Sequence, residues 1–214
     1  MSKVAVLGSG VVGQTLADGF LKFGWEVMRG TRDAGKLSDW KSKAGERASV
    51  GTFGEAAKWG DVVVLAVKGT AAAEVIAACG DGIDGKPVLD TTNPIADAPP
   101  ENGVIKYFTG PNESLLEALQ KKAPKAKLVK AFSCVGAPFM VSPDFGGQKP
   151  TMFVCGDDED AKKKTHEILT QFGWEVEDMG PATAARAIEP LAMLWCIPGI
   201  AKGRWTHAFK LLKK

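Results

Sequence analysis

Residues 3–33 read KVAVLGSGVVGQTLADGFLKFGWEVMRGTRD, and the reading of this stretch decides the fold. Lys3-Val4-Ala5-Val6-Leu7 is a short, apolar, β-branched run, the pattern of a strand buried on both faces. It stops at Gly8-Ser9-Gly10-Val11-Val12-Gly13, which has G-x-G-x-x-G spacing. In such a turn the first glycine allows a tight bend, the second close approach of a pyrophosphate, and the third packing of helix on strand. Val12, Leu16, Phe20 and Phe23 then recur at helical spacing, predicting a helix with a core-facing stripe and free N–H groups at its start. Gly24 ends that helix, and Glu26-Val27-Met28-Arg29 makes a second strand. A βαβ unit of about 30 residues is what the dinucleotide fingerprint requires, so the glycines are more than punctuation.

The end of the second strand selects the nucleotide. An NAD site places a carboxylate there for the ribose 2′-hydroxyl, whereas an NADP site places groups that accept a 2′-phosphate. Here the residues are Gly30-Thr31-Arg32-Asp33. Thr31 offers a hydroxyl, Arg32 a planar guanidinium and Lys36 a second cation, which favours NADP(H). The competing reading makes Asp33 the ribose carboxylate and leaves Arg32 solvated.

Composition excludes other classes. A chain of 214 residues with 45% hydrophobic and 24% charged residues suits one globular domain, or one domain with a small appendage. Its net charge of +2, with both signs interspersed, leaves no electrostatic footprint for nucleic acid. With the first strand beginning at once, no signal or transit peptide is expected. The most apolar segment, Leu191 to Ile197, is expected to be cut by Pro198-Gly199 far short of the about 18 residues of a membrane span. Cys79, Cys134, Cys155 and Cys196 show no C-x-x-C spacing and read as free thiols in a reducing compartment, hence the cytoplasm. His166 and His207 have no partner at metal-ligand spacing, so no metal site is expected.

The rest of the chain continues the strand-helix alternation of an α/β NAD(P)-binding Rossmann fold, a doubly wound, mostly parallel sheet. A third strand is expected at Ser49 to Phe53, broken by Gly54. Asp61 to Val67 reads as a strand beside the first, and its carboxyl end, Ala66-Val67-Lys68, should border the cofactor. Asn93-Pro94 follows the strand Pro87 to Asp90 and is either a contact for the nicotinamide half or simply a turn. Ile95 to Pro111, rich in proline and glycine, reads as a lid or wall. After the strand Leu128 to Phe132, the segment Ser133 to Pro138 faces the same edge. It offers Val135 as a cofactor contact and Ser133 as a candidate catalytic hydroxyl. Residues 1–180 are expected to form the NADP-binding domain. Residues 181–214 are expected to be a short helical segment packed on the sheet or on a second subunit. Its apolar stripe of Ala184, Ala187, Ile188, Leu191, Leu194 and Trp195, interrupted by Pro190, and a final helix from Gly203 to Leu212 suggest a homodimer.

These features together resemble the NADP oxidoreductases that depend on the deazaflavin coenzyme F-420, and the related cytosolic domains of membrane ferric reductases. The resemblance rests on Gly8 to Gly13, on Thr31-Arg32 with Lys36, on Val154-Cys155-Gly156-Asp157-Asp158, and on Asp178-Met179-Gly180-Pro181 leading through Arg186 and Glu189. It implies that Thr31, Arg32 and Lys36 hold a 2′-phosphate. One departure bears on the acceptor: where the deazaflavin enzymes carry a histidine after the sixth strand, this chain has Ser133. The ferric-reductase relatives read closer to Ala131-Phe132-x-x-Val135.

Hydride transfer between two ring cofactors is mainly a positioning task, which suits a sequence without an obvious buried acid or base. Tyr107, the single tyrosine, has no lysine four residues later. The first expectation is therefore an oxidoreductase that exchanges hydride between NADP(H) and a deazaflavin or flavin-like carrier. The alternatives are a reductase of a small carbonyl or imine, and a non-catalytic NADP(H) sensor. Imine reductases that share the N-terminal pattern usually carry a longer helical dimerisation domain than the stretch after Pro181 supplies.

Overall fold

The computed structural model describes residues 2–214. Eight strands form one sheet: β1 (Lys3–Leu7), β2 (Glu26–Gly30), β3 (Ala48–Gly51), β4 (Val62–Leu65), β5 (Pro87–Asp90), β6 (Lys127–Lys130), β7 (Thr151–Gly156) and β8 (Glu175–Asp178). Their spatial order is β3-β2-β1-β4-β5-β6-β7-β8. The order reverses between β1 and β4, which pair in parallel with Leu7 opposite Leu65. In an open α/β sheet the crevice at that reversal is where ligands bind. Every pairing is parallel except β6 with β7, joined through Val129–Gly156 and Lys130–Cys155.

Strand side chains alternate between two cores. Val4, Val6, Val27 and Val64 meet α1 (Val11–Lys22), α2 (Ser38–Ala44) and α6 (Glu159–Gln171) through Leu16, Phe20, Trp40, Ile168 and Leu169. Ala5, Leu7, Val63 and Leu65 meet α3 (Phe53–Trp59), α4 (Gly69–Cys79) and α5 (Leu115–Lys122) on the other face. Each fully buried Leu, Val or Phe contributes about 1.5–3 kcal/mol. The third strand ends at Gly51 rather than Phe53. Thr52 caps α3 in a reciprocal capping box with Glu55, and Gly54 lies inside that helix instead of breaking the strand.

The C-terminal segment differs most from expectation. α7 (Ala185–Ile188) runs into α8 (Pro190–Lys202); Pro190 opens α8, where its missing N–H is harmless, and Pro198 sits inside it without ending it. The stretch 182–202 is thereby long and apolar enough, by length and composition, to cross a membrane, with mean hydropathy 1.2. That corrects the expected cut at Pro198-Gly199. One third of the stretch is buried in the domain, along Ala185, Ile188, Ala192, Trp195 and Gly199, while Ala187 and Leu194 are exposed. The final helix expected over 203–212 is absent. Gly203 ends α8 in the left-handed conformation, and Trp205 folds back so closely that a Cβ on Gly199 would lie 2.2 Å from its ring. Trp195 stacks on His207 and donates to its carbonyl at 2.9 Å. The tail then runs along β7, where the Thr151 N–H donates to the Phe209 carbonyl.

A buried ionic lock ties this segment to the sheet. Lys130 Nζ lies 2.7 Å from Asp90 Oδ2, 2.8 Å from Glu189 Oε1 and 2.8 Å from the Thr92 carbonyl, with both partners fully or almost fully buried. Glu189 also accepts from the N–H groups of Leu115 and Leu116, so it caps the positive end of α5. Burial works against the Lys130 charge, but Asp90 and Glu189 outweigh it and hold the ammonium above its usual range. Removing the cation alone would leave two carboxylates buried without it. Lys130→Met should therefore cost about 3–5 kcal/mol. Urea unfolding followed by tryptophan fluorescence measures this, and a loss below about 1 kcal/mol would mean the lock is neutral.

Candidate functional site

Where the strand order reverses, a cleft of about 460 Å³ opens at the carboxyl ends of the strands. The glycine turn supplies one wall, from Gly8 to Val12. The loop after β2 supplies Thr31, Arg32, Asp33 and Lys36, and the end of β4 supplies Ala66, Val67 and Lys68. These are the residues that the sequence places together. A second hollow of comparable size, about 540 Å³, lies at the opposite end of the sheet, between the loops that follow α4 and α5. It stands away from the reversal and from the Gly8–Gly13 turn.

The glycines divide by role. Gly8 has φ +136°, and a Cβ there would lie 2.1 Å from the Ala66 carbonyl oxygen; its N–H donates to Gly30 O at 2.9 Å. A Cβ on Gly13 would lie 2.7 Å from the Gly8 carbonyl oxygen, so Gly13 is a packing glycine buried under the turn. Gly10 has ordinary extended backbone (φ −79°, ψ −179°), and a Cβ there would meet nothing within 4 Å. Gly10 is the N-cap of α1 but offers no side chain to it, and the first turn of α1 has no acidic residue. The first N–H groups of α1 are thus left to an outside acceptor, beside which Val11 is 71% exposed.

Past β2, the Thr31 hydroxyl accepts from the Asp33 N–H at 3.2 Å, within its own turn. Asp33 Oδ1 accepts from the Gly35 N–H at 3.0 Å and caps a short 3₁₀ turn over Ala34–Leu37. That capping duty weakens the reading of Asp33 as a ribose ligand. Arg32 reaches across the cleft to Glu74 on α4 at 3.2 Å, an exposed pair of the kind worth little in water and easily exchanged for another anion.

Other expected residues stand apart from this cleft. Asn93 Nδ2 donates to the Ser133 carbonyl at 2.9 Å, bringing the ends of β5 and β6 together, with Pro94 and Val135 buried beside them. Asn93 Oδ1 and Ser133 Oγ are both buried without a hydrogen-bond partner. Phe132, just before Ser133, has φ +60°, a left-handed conformation that costs a bulky residue about 1–2 kcal/mol. Strain of this kind clusters at functional sites. Within residues 95–111, expected as a lid or wall, the bridges Ile95–Tyr107 and Glu101–Val104 make a small hairpin. Tyr107 donates its hydroxyl to the Glu189 carbonyl at 2.7 Å, and burial, reinforced by the Glu189 charge, pushes its pKa up.

The sequence does not announce Arg29, Asp90, Lys130 and Glu189 as buried charges. Arg29 and Lys130 look like ordinary strand residues, although a lone cation inside an apolar strand is itself the available signal. Among the described residues no cluster of three or more potential metal ligands occurs.

The family model "NADP oxidoreductase coenzyme F420-dependent" matches residues 3–94. Metalloreductase STEAP3 of Rattus norvegicus is 28% identical over 202 residues, 92% of this chain and 38% of that protein. The F420-dependent NADP reductase of Methanocaldococcus jannaschii is 30% identical over 141 residues, 65% of this chain and 62% of its own. The chain thus spans about two fifths and three fifths of the lengths of these two relatives. A crystal structure from Arthrobacter sp. FB24, provisionally named an F420-dependent NADP reductase, superposes with a TM-score of 0.92 at 30% identity, each chain covered in full. With the fold, the glycine turn and full-length similarity to that structure in agreement, the chain belongs to the family of coenzyme F420-dependent NADP oxidoreductases.

Proposed function

We propose that the protein is an oxidoreductase that transfers a hydride between NADP(H) and a deazaflavin or flavin-like carrier. The observation that carries this reading is the cleft itself: open space over Gly10 and uncapped N–H groups at one end, with Arg32 and Lys36 at the other. The first pair suits a pyrophosphate, and the second a 2′-phosphate. Beyond the cleft, the partnerless Asn93 Oδ1 and Ser133 Oγ fit a ligand that brings both a donor and an acceptor, as the nicotinamide carboxamide does. Pro94 and Val135 add apolar contact beside them. When bound, the nicotinamide would supply the hydride chemistry; the chain's own residues would hold and orient the dinucleotide.

The choice of a ring carrier as acceptor is supported by how little proton-transfer chemistry the described residues offer. Direct hydride passage between stacked rings needs no proton donor, only approach of the reacting carbons to about 3–3.5 Å. A carbonyl or imine reductase needs a donor. Tyr107 is a poor one, because its proton is committed to the Glu189 carbonyl and its pKa is raised. Ser133 remains the hydroxyl such an activity would use. A homodimer is proposed through the exposed Leu194 and Ile200 of α8, which sedimentation would read as a doubled mass and a monomer would refute. The four free thiols support a cytoplasmic setting.

Two outcomes check this reading. Purified protein mixed with NADPH and oxidised deazaflavin, then flavin, should consume nicotinamide absorbance; no acceleration with either carrier removes the proposed acceptor class. Gly10→Val should fold as the parent does yet lose NADPH affinity at least about tenfold, equivalent to about 1.4 kcal/mol. Gly8→Ala, by contrast, should lower the melting temperature, because its Cβ has no room. Unchanged NADPH binding by Gly10→Val, measured by fluorescence titration, would place the dinucleotide elsewhere.

A further inference from the structure

We propose that Arg29 is the positioning residue of the phosphate-binding turn: from behind, its buried guanidinium fixes the carbonyls of Gly8 and Gly10 and sets a positive charge under the pyrophosphate. The inference rests on the dinucleotide site proposed above and deepens it.

Arg29 stands on β2 opposite Val6 of β1, and its side chain is completely buried. Nη2 donates to Gly8 O at 3.0 Å and to Gly10 O at 3.3 Å. The guanidinium carbon lies 4.9 Å from the Trp40 ring centroid. Trp40 in turn donates to Asp18 Oδ1 at 2.7 Å, and Arg29 Nε has no partner.

This is an unusual place for a cation. Gly10 is the N-cap of α1, so the guanidinium sits at the positive end of a helix, where a cation is disfavoured. A buried arginine ordinarily meets a carboxylate directly. Here Asp18 helps through its field and through Trp40, without a hydrogen bond to Arg29. Two roles explain why the residue is tolerated. With its carbonyl oxygens held by Arg29, the turn is fixed with its N–H groups free for an anion. The under-neutralised charge is then balanced when a dianion arrives on the other side of the turn. A mere space-filler between α1 and α2 would need neither the two hydrogen bonds nor the charge.

The test compares two ligands that share the 2′-phosphate: 2′-AMP, which lacks a pyrophosphate, and 2′-phospho-ADP-ribose, which has one. By calorimetry, Arg29→Gln should weaken 2′-phospho-ADP-ribose about tenfold and 2′-AMP less than about twofold. Arg29→Lys should recover most of the loss, since it keeps the charge and one bond. Equal losses for both ligands, no loss, or failure of lysine to rescue would overturn the role. Should Arg29→Gln not fold, the wild type decides by nitrogen NMR. The unpartnered Nε–H resonance of Arg29 should shift with 2′-phospho-ADP-ribose and stay in place with 2′-AMP; a resonance indifferent to both overturns the role. Wild-type protein that binds neither ligand would instead remove the dinucleotide reading itself.

Discussion

Two backbone approaches leave no room for a side chain: Gly8 against the Ala66 carbonyl, and Gly13 against the Gly8 carbonyl. The first brings the end of β1 against the end of β4, and the second seats α1 on the turn between them. If either opened by the width of a methyl group, α1 would lift from β1 and its N–H groups would no longer face the crevice. The cleft therefore exists because glycine occurs at these two positions, and Gly10 is free to serve a ligand because the other two have done the packing.

Around that crevice the chain buries two cations in opposite ways. Lys130 is more than matched by Asp90 and Glu189, whose excess negative charge is taken up by Thr92 and by the first N–H groups of α5. Such a closed network locks α7 and α8 to the sheet and leaves nothing for a ligand to complete. Arg29 meets only carbonyls and an aromatic face. The contrast separates a charge that serves the fold from one that serves binding: the first is satisfied from within, and the second is left open toward the turn.

The N-terminal half is legible because its signals are local. A continuous apolar strand, a glycine turn and a helix of period 3.6 all lie within residues 3–33, and the cleft residues Thr31, Arg32, Lys36 and Ala66 to Lys68 follow from topology alone. The C-terminal stretch misleads because its structure is set by distant partners. Residues 203–212 have helical periodicity, yet Trp205 and His207 gain more by packing on Gly199 and Trp195. Pro198 looks like a terminator, but α8 carries it internally. Lys130, Asp90 and Glu189 lie far apart in the chain, so no window of sequence could pair them. Arg29 pairs with a turn some 20 residues earlier, and only the three-dimensional register puts its guanidinium under Gly8.

The proposed function turns on a phosphorylated adenosine being held between the glycine turn and the loop after β2. Calorimetric titration of the wild-type protein with NADP and with NAD, at one salt concentration, tests this most directly. Loss of one charge-assisted phosphate contact costs about 1.5–3 kcal/mol, so NADP should bind at least about tenfold more tightly. Equal affinity for the two, or no binding of either, would contradict it.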